Sequence, residues 1–372
     1  VASVGVSFTP PAYPYERLDG LKQLASTFDG GAIDCSIGTP VDAPPSFVID
    51  ELARGLGARG YPASAGSIDF REAAAAWMNR RFTLELGPND LGACVGTKEF
   101  VANLAGYLHL RSPERDTVLY PAVSYPTYAM GATLAGLRSV AVAMKNGRLD
   151  LDSIAESDVS RALVLWANSP SNPTGFLDDL EGLAHWGRRH DVLVASDECY
   201  AEFTWTSRPR SILEHGLEGV LALHSISKRS NLAGLRAGFY AGDAALVAYL
   251  RSVRQHAGLM VPGPVQAAVA LAYGDDAHVE VQRAVYRARL ELLAGALKTL
   301  DVDAPMPEGS FYLWCSKEGM DGWALATLLA QRSGLVVSPG ELYGDPGVNF
   351  VRIAVVQPNE RLELVAARLE AS

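Results

Sequence analysis

Short runs with scarcely a polar residue recur through the first two-thirds of this chain and constrain its fold more than any other feature: Thr117 to Tyr120, Ala162 to Ala167, Val192 to Ala195 and Val220 to Leu223. Each is too short for a helix and too uniformly apolar for a strand with one wet face, so each predicts a strand covered on both sides. Helical patterns such as Asp178 to Arg189 lie between them. Such alternation implies an α/β fold, a mainly parallel sheet between two layers of helices. In sheets of that kind a ligand site forms beyond the carboxyl ends of the strands. The polar residues gather there: NSPSNPTG follows Ala162 to Ala167, SDECY follows Val192 to Ala195, and SISK follows Val220 to Leu223.

After about Pro264 the pattern changes to long helices, Val265 to Tyr273 and Ala277 to Leu300, then FYLWC, a helix near Trp323 to Arg332, and FVRIAVV. This predicts a second, smaller α+β domain joined by part of the N-terminal segment. At 372 residues the chain exceeds what one core usually serves. The expected division is a large domain of residues 45–264 and a small domain of 1–44 with 265–372.

The acidic excess, 42 against 32 basic side chains, comes without a basic run and argues against nucleic acid or an anionic membrane as partner. No apolar stretch is long enough to cross a bilayer, and the opening residues lack the charged and apolar pattern of a leader. Cys35, Cys94, Cys199 and Cys315 are scattered without a CxxC pair, as expected of reduced thiols in a cytoplasm. The histidines show no HExxH spacing, so no metal site is expected. A soluble enzyme of small molecules fits these features.

The segment SISKRSNLAGLRAG, Ser225 to Gly238, sets Lys228 among hydroxyls and ahead of Arg236. The hydroxyls of Ser225 and Ser227 and the Arg236 guanidinium are suited to a phosphate, and a lysine beside a phosphate is how pyridoxal phosphate would be held. The plain alternative is a surface Lys and Arg flanking a turn. Gly96, Thr97 and Lys98 open an apolar helix running to Leu110, which aims backbone N–H groups at an anion, although Thr97 could simply cap that helix. GACVGTK lacks Walker spacing.

Asp197, at a strand end, would stay ionised facing a protonated pyridine nitrogen; taken alone it would cap a turn. Tyr200 and Asn172 can both reach a phenolic oxygen, the latter from the NPTG turn. Tyr125 could lay its ring on the cofactor or pack in the core. Arg352, a charge within an apolar strand pattern, needs a carboxylate: the α-carboxylate of an amino acid substrate, or a buried Asp or Glu.

IGTP, RGYPASAGSIDFREA from Arg59, PAVSYPTY, NSPSNPTG, SDECY, SISKRSNLAGLRAGF, GSFYLW and FVRIAV occur in the order of the fold-type I, class I/II aminotransferases, and the chain resembles that family over nearly its whole length. The resemblance implies a large domain built on a mainly parallel sheet between helices plus a smaller α+β domain. It makes Lys228 the Schiff-base lysine and proton carrier, Asp197 the pyridinium partner, and Asn172 and Tyr200 the ligands of the phenolic oxygen. Gly96, Thr97, Lys98, Ser225 and Arg236 fall in its phosphate cup, and Tyr125 matches its stacking aromatic. Arg352 matches its carboxylate anchor, with Gly38 and Asn172 beside the substrate. Tyr61 matches a tyrosine that reaches the neighbouring subunit's phosphate, which implies a homodimer with shared sites.

Within the family, VGTKEFVA, NSPSNPTG, SDECYAEF, HSISKRSNLAGLRAGF and QHAGLMVPGPVQAA are similar to actinobacterial N-succinyldiaminopimelate aminotransferases. This implies amino transfer between glutamate/2-oxoglutarate and N-succinyl-LL-2,6-diaminopimelate/N-succinyl-2-amino-6-ketopimelate in lysine biosynthesis. Transamination of aspartate or another amino acid, or β-elimination on the same scaffold, are the alternatives. A cofactor-binding regulator would need a DNA-binding module of which there is no sign. The Pro/Tyr-rich stretch Tyr13 to Arg17 is a candidate cover for the site.

Overall fold

In the computed structural model, which describes residues 8–11 and 14–371, the apolar runs form the middle of a seven-stranded sheet. Its order is Leu91–Cys94, Gly238–Gly242, Val220–Ser225, Leu193–Asp197, Ala162–Asn168, Thr117–Pro121 and Arg138–Val142. The last five run parallel to one another; Gly238–Gly242 is antiparallel to both of its neighbours. Every residue of Ala162–Asn168 is buried. Successive side chains leave opposite faces of a strand, so a strand with two dry faces cannot alternate.

Leu165 and Ala167 belong to a core shared with Trp77 of the helix Ile68–Phe82 and Leu183 of Leu180–His190. Val164 and Trp166 belong to the opposite core, with Leu104 of Thr97–Arg111 and Tyr128 of Thr127–Leu134. Burying each such Leu or Val contributes about 1.5–3 kcal/mol. Asp179 starts Leu180–His190 by accepting from the Gly182 amide at 3.1 Å, and Asp191 ends it in the left-handed region. A cap of that kind stabilises a helix by roughly 1 kcal/mol.

A third core gathers around the antiparallel strands Tyr312–Ser316, Phe350–Ala354 and Ser338–Pro339 and the helices Ala277–Leu297, Gly322–Ser333 and Asn359–Glu370. The N-terminal segment joins it: Ile33–Asp34 pairs in parallel with Leu335–Val336, and Leu18, Leu21 and Ala25 are buried in the same core. The helix Gly263–Gly274 behaves otherwise than expected. Its Ala268, Val269, Ala272 and Tyr273 pack with Phe70 and Trp77 on the large sheet, so the change of core comes at Asp275–Asp276 and not at 264. The cause is composition: this helix is apolar and Ala-rich, and its pattern does not say which sheet it covers.

Tyr13 of the expected cover lies outside the described residues. Pro14–Leu18 forms a 3-10 turn against the core around Tyr312, with the Tyr15 hydroxyl 3.2 Å from that of Tyr343 and Arg17 paired with Glu341 at 3.2 Å. Among the described residues no helix is long and apolar enough to cross a membrane, and no group of three His, Cys, Asp or Glu side chains is placed to hold a metal.

Candidate active site

The three polar clusters converge at the carboxyl edge of the sheet, where a cavity of about 390 Å³ opens between the sheet and the core around Tyr312. Gly38, Thr97, Lys98, Tyr125, Asn172, Asp197, Tyr200, Ser225, Lys228, Arg236 and Arg352 all line it. Their sequence separation is large, but strand order places Asn168, Asp197 and Leu223 side by side across three strands.

One end is made of small residues and donors. Gly96, at a φ of 76°, precedes the helix Thr97–Arg111, and a Cβ there would run into the Arg236 guanidinium. Arg236 is itself left-handed, with a φ of 52°, and its Nη1 donates to the Ala233 carbonyl at 2.9 Å while the side chain stays exposed. Ser225 ends its strand and caps the turn Ile226–Arg229; its Oγ accepts from the Ser227 amide at 3.1 Å and lies 2.8 Å from Ser227 Oγ. Hydroxyls, an exposed guanidinium and a helix start in one concave end suit a phosphate.

Behind this end sits Asp197, only 7% exposed. Its Oδ2 accepts from the Tyr128 hydroxyl at 3.0 Å and its Oδ1 from the Cys199 amide at 3.2 Å. Burial pushes its carboxyl up, and the bonds from Cys199 and Tyr128 offset only part of that. A cation in front of it would restore the carboxylate. Lys228 stands on the next strand's turn, its Nζ donating to the Gly38 carbonyl and lying 5.9 Å from the Phe311 ring. Burial, with Arg352 and Arg236 nearby, pushes its amine down to about 8. A lysine so shifted exchanges protons readily near neutral pH.

Arg352 is 1% exposed, and among the described residues it has no salt-bridged carboxylate partner. Its Nη1 donates to Asn172 Oδ1 at 2.7 Å, Nη2 to the Ser36 carbonyl, and Nε is buried without a hydrogen-bond partner. The rings of Tyr312 and Tyr343 lie 4.3 Å and 4.8 Å from its guanidinium carbon. The alternative of a buried ion pair with Asp or Glu is thereby removed. A buried guanidinium of this kind is costly until an anion meets it.

Tyr200 does not stand alone: its hydroxyl is 2.8 Å from that of Tyr312, a residue sequence reasoning passed over. The same Tyr312 explains Gly38, where a Cβ would run into the Tyr312 hydroxyl. Tyr128 was also missed, although it stands in the first turn of the helix that Tyr125 precedes, and the two rings meet edge-on at 5.9 Å. Cys199, whose Sγ is 3.3 Å from Thr97 Oγ1, also lines the cavity, as do Asn168 and Tyr15. Tyr61 is outside it, 98% exposed on the surface.

The chain is similar to known proteins over nearly its whole length. The family model "Aminotransferase class I and II" matches residues 32–369. The chain is 40% identical to the 4-dedimethylamino-4-oxo-anhydrotetracycline transaminase OxyQ of Streptomyces rimosus, over 96% of this chain and 99% of that one. It is 33% identical to the LL-diaminopimelate aminotransferase of Aquifex aeolicus, over 97% and 96%. Its fold superposes with a TM-score of 0.86 on a probable N-succinyldiaminopimelate aminotransferase from Thermus thermophilus, at 32% identity, covering 96% of this chain and 100% of that one.

Proposed function

We propose, from the premise that this chain belongs to the class I and II aminotransferase family, that it moves an amino group between glutamate/2-oxoglutarate and N-succinyl-LL-2,6-diaminopimelate/N-succinyl-2-amino-6-ketopimelate, a step of lysine biosynthesis in the cytoplasm. The family is pyridoxal phosphate-dependent, and the donors around Asp197, Lys228 and Arg236 fit that group: an acid for the ring nitrogen, an amine, and a phosphate end. When bound, the cofactor supplies a carbonyl that takes up an amine and a ring that withdraws electrons.

The chain's own residues then divide the work. Thr97, Lys98, Ser225 and Arg236, with the close approach allowed at Gly96, hold the phosphate. Asp197, steadied by Tyr128, faces the ring nitrogen; Asn172 and Tyr200 face the phenolic oxygen; Tyr125 covers the ring. Lys228 would hold the cofactor through its amine and, as a free amine, would carry the α-proton. Arg352, flanked by Asn172 and Gly38, takes the α-carboxylate of either amino acid, which supports two half-reactions in turn. The observation that carries the reading is this buried arginine with no carboxylate partner among the described residues, across the cavity from a lysine pushed down to about 8.

Tyr61, nearly bare in the single chain beside exposed Leu56 and Ile68, is proposed to reach the phosphate site of a second copy in a homodimer. Likeness to an LL-diaminopimelate aminotransferase at 33% identity and to a probable N-succinyldiaminopimelate aminotransferase at 32% supports this substrate. The 40% identity to OxyQ favours a second reading, a cyclic ketone as amino acceptor. A panel of keto acceptors with glutamate as donor separates them: turnover of N-succinyl-2-amino-6-ketopimelate well above aspartate-derived and cyclic keto compounds is expected. Preference for a cyclic ketone would overturn the first reading, and pyruvate with ammonia released from a cysteine-type substrate would point to β-elimination.

A further inference from the structure

The three residues after Lys228, Arg229–Ser230–Asn231, take no part in the site just described, yet their side chains turn to one stretch of chain, from the end of the helix Gly263–Gly274 into the helix Ala277–Leu297. Arg229 is 2% exposed. Its Nη1 donates to the Ala272 carbonyl at 2.6 Å, and its Nη2 to the Asp275 carbonyl at 2.9 Å and to Asp276 Oδ1 at 3.0 Å. A cation at these carbonyls also complements the end of the helix Gly263–Gly274. Its Nε lies 3.3 Å from Glu202 Oε1, and the Trp77 and Tyr273 rings flank it at 5.4 Å and 5.5 Å.

Ser230 Oγ is 2.9 Å from His278 Nε2, and His278 Nδ1 is 2.5 Å from Asp275 Oδ2. Burial pushes the His278 imidazole down. A neutral ring whose Nδ1 donates to Asp275 presents Nε2 as an acceptor, so Ser230 donates. Asn231, at a φ of 55°, donates Nδ2 to Gln282 Oε1 at 2.9 Å, and the Tyr286 hydroxyl lies 3.4 Å from its Oδ1. His278, Gln282 and Tyr286 recur every four residues, one stripe of the helix Ala277–Leu297 that starts where the cores change. Gln282 in turn donates to Asp42 at 2.9 Å, and Asp42 is gripped twice by Arg289 at 2.6 and 2.7 Å. Asp42 follows closely on Gly38, whose carbonyl receives Lys228 Nζ.

We infer that Arg229, which grips Asp275 and Asp276 just ahead of the helix Ala277–Leu297, and Ser230 and Asn231, which bond to the helix itself, are positioning residues that fasten the Lys228 turn, setting where the reactive amine stands in the cavity. The inference rests on Lys228 being the lysine that binds the cofactor. The chain of contacts closes on itself: from Lys228 to Gly38, along the backbone to Asp42, through Gln282 to Asn231, and back.

The test uses the full-length holoenzyme with Asn231→Gly, which keeps a residue able to hold a positive φ, Gln282→Leu, their double variant, and Arg229→Lys. Loss of one side-chain hydrogen bond of about 1 kcal/mol corresponds to roughly a fivefold effect. Each single variant is expected to lower kcat about fivefold, leave KM within twofold and shift the pH titration of the bound cofactor's absorbance. The double variant should be no worse than the more impaired single one, because one contact is removed from either side. Amide hydrogen exchange over residues 226–231 should rise in Gln282→Leu, a readout independent of turnover. Variants that lose thermal stability but keep the wild-type titration and kcat would overturn the inference, as would additive effects in the double variant. Absence of borohydride-trappable cofactor at Lys228 in the wild type would instead defeat the underlying reading.

Discussion

Replacing Arg352 by alanine removes a buried guanidinium whose two terminal nitrogens are aimed by Asn172 and Ser36 and whose faces are held by Tyr312 and Tyr343. A carboxylate docked there would receive charge-assisted hydrogen bonds worth about 1.5–3 kcal/mol each. Losing two such bonds lowers kcat/KM by roughly 10²–10⁴, at about 1.4 kcal/mol per factor of ten. The change also strands Asn172 Oδ1 and the Ser36 carbonyl, so some loss of stability is expected and must be separated from the loss of recognition. The assay is therefore a ratio: half-reaction rates for an amino acid and for the amine lacking its carboxylate, measured on wild type and on Arg352→Ala. Wild type should prefer the amino acid strongly, and the variant should lose nearly all of that preference, mainly through KM, while retaining bound cofactor. Arg352→Lys should fall between, since it keeps the charge and loses the planar fork. An unchanged preference in a folded Arg352→Ala protein would refute the assignment.

Gly96→Ala places a Cβ against the Arg236 guanidinium at a φ of 76°, so cofactor affinity should fall by at least tenfold with little change in the large core, read by equilibrium dialysis. Asp178, whose carboxyl burial pushes up to about 6, should give a pH-dependent stability. The folded state keeps a proton that the unfolded chain releases near 4, so stability is fully present below that and falls as pH rises through about 6. Asp178→Asn, able to keep the bond from the Leu149 amide, should flatten this slope in denaturant titrations at pH 4–7; an unaltered slope would discount the buried acid.

The strands and the polar clusters at their ends were legible because they depend on local pattern: two dry faces remove alternation, and a turn rich in Pro, Gly and Asn must follow. Residues next to those ends, Asp197, Ser225 and Lys228, were therefore placeable. Arg352 was legible as a misfit in an apolar strand, but not its pairing with Asn172, 180 positions away, nor the tyrosine rings on its faces. Tyr128 and Tyr312 escaped notice because a buried tyrosine on a helix or strand resembles ordinary core until its hydroxyl's partner is known. The helix Gly263–Gly274 misled for the same reason in reverse, since an apolar helix does not announce the sheet it joins. The reach proposed for Tyr61 needs the surface of a second copy, which no single chain carries. The RSN tripeptide offered no pattern at all; its contacts exist only once the segment from Ala272 to Gln282 is laid beside it.

Borohydride reduction of the holoenzyme followed by peptide mass spectrometry tests the central claim most directly. The account predicts reduced pyridoxal phosphate attached at Lys228 alone, and none trapped, with transamination nearly abolished, in a folded Lys228→Ala variant. Cofactor attached at another lysine, or normal turnover by Lys228→Ala, would contradict it.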